Sequence, residues 1–173
     1  MEIISIPISG ALSHKDSMEN KRSIEVGEVQ VMSAGSGLTH SEFNDSKTEE
    51  TNFLQLWIIP EKQEVEPFYD QKKFDEQGRK NKFQTVVSPR DNHIKGSLPI
   101  YQQGYIAMID LDESKSVNYQ VKNAAYFFLI NGELEVGDET LSNRDAVGIY
   151  NVDEVIVKAS KNSKLLVIDV PIS

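Results

Sequence analysis

Gly27-Glu28-Val29-Gln30-Val31-Met32-Ser33-Ala34-Gly35-Ser36-Gly37-Leu38-Thr39-His40-Ser41-Glu42 is the stretch on which the reading of this chain turns. Ile24 and Val26, then Val29 and Val31, form two short alternating pieces around a Gly27-Glu28 turn, each with the period of a half-buried strand. Gly35 and Gly37 permit a tight bend before a second strand. His40 and Glu42 stand two positions apart in that strand, so their side chains project to one face. One imidazole nitrogen and one carboxylate can then meet a single metal ion. Such a mixed pair suits Fe, Mn, Ni, Cu or Zn and does not choose among them. An H-x-E pair is also what a solvated surface presents, so the surrounding sequence has to decide.

Outward from this segment the chain reads as strands and turns. Ile4, Ile6 and Ile8 alternate with Ser5, Pro7 and Ser9. His14 to Asn20 is polar and reads as a turn held by the Asp16 and Ser17 side chains. Phe53 to Ile59 is a strong strand closed by Pro60, with Trp57 expected in the core. Phe68 to Phe74 suggests a single helical turn, and Val86 to Gly96 a connecting arm holding His93 as a solvated loop residue. Strands follow at 105–110, 117–121, 124–130, 133–136, 146–150, 155–157 and 164–170, with Asn131-Gly132 as the best hairpin signal. The acidic residues Asp110, Asp112 and Glu113 read as a solvated turn. Regularly spaced strands without a long helical pattern imply a barrel or sandwich. The boundary falls in the middle, giving 1–60, an arm at 61–97, and 98–173.

Composition narrows the function classes. A net charge of -9 over 173 residues repels phosphate backbones, so direct nucleic-acid binding is not expected. The absence of cysteine excludes disulfides, thiolate metal sites and cysteine nucleophiles. No apolar run approaches the ~20 residues of a membrane helix. Met1 to Pro7 carries no basic n-region, so a cytoplasmic location is expected.

The segment from Gly27 to Glu42 resembles the second cupin motif of the pirin family, G-[DE]-V-Q-x-M-[ST]-A-G-x-G-x-x-H-S-E. His14 to Asn20 resembles the family's H-x-D-S-x-G-N turn, with Glu19 in place of the usual glycine. Gln55-Leu56-Trp57, the Glu66-Pro67-x-Tyr69 run, Leu129 to Val136 and Leu166 to Pro171 extend the resemblance over essentially the whole chain. It implies an all-β fold of two cupin-type (jelly-roll) β-barrels in tandem. It also implies that His40 and Glu42 supply two of four ligands to one divalent transition metal, with Glu42 as a candidate catalytic base. In the family an H-x-H pair before an M-E-I or F-E-T segment supplies the other two. Met1-Glu2-Ile3 matches that segment, so the expectation is an incomplete N-terminal barrel, a half site, weak or absent metal, and a homodimer covering an exposed sheet edge. Glu2 falls on the glutamate of the first cupin motif. The resemblance implies either a quercetin 2,3-dioxygenase-like enzyme acting on a flavonol or other small aromatic substrate, or a non-catalytic cupin that binds a partner.

Overall fold

The computed structural model describes residues 1–19 and 21–172; Asn20, which ends the expected turn, and Ser173, which ends the expected second barrel, lie outside it. The strands are β1 (Glu2–Ser9), β2 (Ala11–Asp16), β3 (Lys21–Glu25), β4 (Glu28–Ser33), β5 (His40–Asn44), β6 (Asn52–Ile58), β7 (Phe68–Lys73), β8 (Gln84–Pro89) and β9 (Leu98–Ile100). They continue as β10 (Tyr105–Leu111), β11 (Ser116–Gln120), β12 (Ala124–Asn131), β13 (Glu133–Val136), β14 (Glu139–Ser142), β15 (Ala146–Tyr150), β16 (Glu154–Ala159) and β17 (Ser163–Val170). The one helical element among the described residues is a 3-10 turn, Glu76–Arg79, with the Asp75 side chain accepting from the Gln77 amide. The all-β expectation holds. Two compact units result, one of 1–74 with 98–102 and one of 75–97 with 103–173. No helix among the described residues is long and apolar enough to cross a membrane.

In the first unit one sheet has the order β6-β1-β4-β7 and another the order β3-β2-β5. β1 is central in its sheet, and Glu2 through Pro7 are all buried, on both faces. Pro7 cannot donate to a ladder, and it sits beyond the β1–β4 pairing, which ends at Ser5 opposite Gln30. Residues directly opposite one another share a face. Ile3 opposes Trp57 and Met32, Ser5 opposes Gln55 and Gln30, and β7 adds Tyr69 and Gln71 to the same rows. Ile4 and Ile6 point the other way, into the core with Val31, and each buried aliphatic of this size contributes about 1.5–3 kcal/mol. Gly35 brings the bend against the loop before β7, where a Cβ would stand 2.1 Å from the Val65 carbonyl oxygen.

Three expectations are corrected here. Trp57 is not in the core: it is 65% exposed, because β6 is an edge strand whose other face carries the buried Ile58. Phe68–Lys73 is strand rather than helical turn, paired along its length with β4. His14 and Asp16 are not in a turn; they close β2, where Leu12, His14 and Asp16 form the buried face.

The second unit stacks its strands in the orders β15-β12-β17-β10-β8 and β11-β16-β13-β14. Its core gathers Ile109, Leu111, Phe127, Leu129, Leu134, Val157, Leu165 and Val167, with Tyr119 edge-on to Phe127 at 5.4 Å. Asp169 is buried and accepts from the Lys122 and Asn123 amides, both at 2.8 Å. Asn131-Gly132 does not close a hairpin. β12 pairs with β15 and β17, while β13 pairs with β14 and β16, so the dipeptide is a corner between sheets. Gly132 has φ +112°, and a Cβ there would meet Ser163 Oγ at 2.3 Å and the Asn162 carbonyl at 2.6 Å. The two-residue hairpin lies one strand later, at Gly137-Asp138 between β13 and β14. Asp110 and Asp112 are not a solvated turn either. Asp110 binds Arg79 Nε of the 3-10 turn at 2.8 Å, and Asp112 binds Lys80 and Asn81 just after it.

Candidate metal centre

β2 and β5 are antiparallel neighbours whose register sets His14 opposite Glu42 and Asp16 opposite His40. All four side chains therefore lie on one face of that pair. His14, His40 and Glu42 each offer a ligand atom, and these atoms lie within 4.8 Å of one another. The structure thus brings together the two residues expected from the H-x-E spacing and adds a third, His14. An alternation was there to find it: Leu12, His14 and Asp16 against Ser13 and Lys15. Because the inward residues are polar, that strand has no hydrophobic period.

His14 is fully buried, with Nε2 3.2 Å from Asp16 Oδ2 and Nδ1 3.8 Å from Glu42 Oε1. A carboxylate cannot donate, so neutral His14 carries its proton on Nε2 and keeps a lone pair on Nδ1. Asp16 is itself tied down, since its Oδ1 accepts from the Met18 amide at 2.9 Å. A carboxylate behind an imidazole, fixing ring and tautomer, is the usual support of a histidine ligand. Nδ1 of His14 and Nδ1 of His40 are both buried without a hydrogen-bond partner. Buried imidazole nitrogens are costly to leave unpaired, and a metal ion held by His14, His40 and Glu42 would remove that cost. Two imidazoles and one carboxylate form a donor set suited to a first-row divalent ion with open positions for substrate. The residues fit a metal.

Glu42 is held from the opposite sheet. Ser5 Oγ donates to its Oε1 at 2.8 Å, and Gln55 Nε2 donates to its Oε2. Trp57 Nε1 in turn donates to Gln55 Oε1 at 3.0 Å, and both residues are exposed, so the site reaches solvent along β6. On the far side the Tyr69 ring lies 4.9 Å from His14 and its hydroxyl donates to Gln71 at 2.9 Å. Burial pushes the Tyr69 phenol well above its ordinary range, so it stays protonated. Glu2 does not join the cluster. Its position in β1 is three from Ser5, which turns it to the opposite face, where Ser33 Oγ donates to it at 2.6 Å and the Tyr101 amide at 3.1 Å. His93 is exposed in the loop after β8 and belongs to the second unit.

The charges are coupled. Burial would raise the Glu42 carboxyl, but His14 and Ser5 beside it and the charge of His40 hold it below its ordinary 4.5. Burial would lower His14, yet the carboxylates of Glu42 and Asp16 raise it above 6.5. Stability from the raised imidazole is complete below pH 6.5 and is lost as pH rises through the folded value. Stability from the lowered carboxyl is complete above pH 4.5 and is lost as pH falls through the folded value. The metal-free chain is expected to gain most from the pair between pH 4.5 and 6.5. Metal uptake runs oppositely, because the ion displaces the proton of His14. Metal affinity should rise with pH until the folded value of His14, above 6.5, is passed and then level off, with proton release measurable by titration calorimetry in buffers of different ionisation enthalpy.

Comparison with known proteins identifies the family by sequence and by fold. The family model described as Pirin matches residues 1–58, and the one described as Quercetinase C-terminal cupin domain matches residues 85–170. Quercetin 2,3-dioxygenase of Escherichia coli K12 is 34% identical over 176 residues, covering 99% of this chain and 73% of that protein. The crystal structure of YhhW from Escherichia coli superposes with a TM-score of 0.92 at 30% identity, over 99% of this chain and 72% of that one. The bacterial pirin YhhW in complex with nickel(II) gives a TM-score of 0.91 at 30% identity, over 100% of this chain and 73% of that one.

Proposed function

The chain belongs to the pirin family, and from that premise we propose that it is a metal-dependent oxygenase of the quercetin 2,3-dioxygenase type, centred on His14, His40 and Glu42. The observation that carries this reading is the pair of buried, unpartnered imidazole nitrogens beside a carboxylate. Nickel is the first ion to try, since a family relative is described as its complex. Three donors from this chain bind less tightly than the four implied by the family pattern, so uptake is reversible and sensitive to chelators.

A divalent transition metal, when bound, supplies the Lewis-acid and redox chemistry that reaction of a flavonol with O2 requires. The residues do the rest. His14 and His40 bind as neutral imidazoles, with Asp16 fixing the first. Glu42 is held ionised, so it serves as ligand and can accept the proton of an enol brought against it. Trp57, Ile3, Met32 and Tyr69 form a row beside the centre that suits a flat aromatic ligand.

Oxygen consumption by the nickel-loaded chain with quercetin tests the proposal. Loss of the flavonol's visible absorbance in step with O2 uptake is expected, and the metal-free chain should show neither. A metal-loaded chain that binds quercetin but consumes no O2 would identify a non-catalytic cupin.

A further inference from the structure

Gln30 is fully buried in β4, and neither its amide nitrogen nor its carbonyl oxygen has a hydrogen-bond partner among the described residues. A buried carboxamide with both ends open costs stability unless something completes it. Its register places it between Ser5 on β1 and Gln71 on β7, with Gln55 on β6 beyond Ser5. Four polar side chains thus cross the four strands in one row on one face.

Three of the four already have partners at the metal centre or its wall. Gln55 and Ser5 donate to Glu42. Gln71 accepts from Tyr69, whose ring lies against His14, and donates to the Ser23 carbonyl and to Glu28. Gln30 alone is uncommitted, bracketed by residues that hold the two ends of the site. The neighbouring row on the same face, Trp57, Ile3, Met32 and Tyr69, is apolar and aromatic. A planar ligand on that row would present one edge to the row that holds Gln30.

We infer that Gln30 is a specificity-determining residue, whose carboxamide pairs with an adjacent hydroxyl and ketone on the bound ligand. The chemistry selects that class. One amide donor and one acceptor are both satisfied by a neighbouring C=O and O–H, as in a hydroxy-ketone or its enol. A carboxylate offers only acceptors and an ammonium only donors, so either leaves one end of the amide open. The inference rests on the proposed flavonol reading, because a 3-hydroxy-4-ketone edge is what distinguishes a flavonol from the corresponding flavone.

The test compares the full chain with Gln30→Met, which keeps the length of the side chain and removes both polar ends. 3-Hydroxyflavone and flavone, which differ only in the 3-hydroxyl and carry no other hydroxyl beside the ketone, are titrated into each nickel-loaded protein. Fluorescence of Trp57, the chain's one tryptophan, reports binding. Unchanged nickel stoichiometry shows that the centre is intact. The wild-type chain should prefer 3-hydroxyflavone, and the variant should lose about tenfold of that preference. Without ligand, Gln30→Met should be at least as resistant to urea as the wild type. A preserved preference, or a variant that unfolds more readily, overturns the inference, since the amide would then be serving the fold. Should the wild type bind neither compound, the flavonol reading fails, and the urea comparison alone decides whether Gln30 is held open for a ligand: a gain in stability supports it and a loss refutes it.

Discussion

Replacing His40 by alanine is expected to lower nickel affinity by more than about 100-fold, beyond the 10–100-fold that loss of an outer-shell partner costs. The reason is geometric. His40 contributes one of two buried Nδ1 atoms that have no other partner, and it lies across the β2–β5 ladder from the residue that fixes the second imidazole. Without it, His14 and Glu42 remain, and two donors on one strand pair hold a transition ion poorly. Glu42→Gln should give a smaller loss, because the amide oxygen can still bind while the charge is gone. Equilibrium dialysis against nickel measures both. Circular dichroism of the metal-free variants should match the wild type, since His40 is only half-buried.

Replacing Phe127 by alanine should destabilise the chain by about 3–5 kcal/mol, a large share of the ~5–15 kcal/mol that holds a domain together. Phe127 is fully buried in the second unit and is met edge-on by Tyr119, which Phe83 meets in the same way at 4.8 Å. Removing the ring leaves a cavity that strands fixed in register on both sides cannot close. Its neighbour Tyr126 points outward and is 48% exposed. Tyr126→Ala should shift stability by no more than about 0.5 kcal/mol. Urea denaturation followed by far-ultraviolet circular dichroism separates the two, and equal effects would contradict the alternation assigned to β12.

How legible these features were in the sequence depended on what each strand buries. His40 and Glu42 could be read from a spacing of two, because a strand's side-chain period needs no knowledge of its partner. β1, β6, β10, β12 and β17 could be read because each carries a run of mostly apolar residues long enough to mark a strand. β2 could not, since its inward face carries His14 and Asp16 and a polar run resembles a turn. The third candidate ligand was hidden by the chemistry that makes it one. Asn131-Gly132 misled for a different reason: the dipeptide reports positive φ, which a corner between sheets needs as much as a hairpin does. Trp57 misled because hydrophobicity gives no information on whether a strand is at an edge. The exposed ring beside Gln55 became meaningful only once β6 was placed next to β1.

The most direct test of the three-residue centre is calorimetric titration of nickel(II) into the chelator-stripped chain and, beside it, into His14→Ala at the same pH. One saturable site per chain is expected in the wild type, and its loss in the variant, as severe as that of His40→Ala. No saturable uptake by the wild type, or uptake by His14→Ala indistinguishable from it, would contradict the account. The second outcome would leave His40 and Glu42 as the chain's only ligands, with His14 merely part of the wall around them.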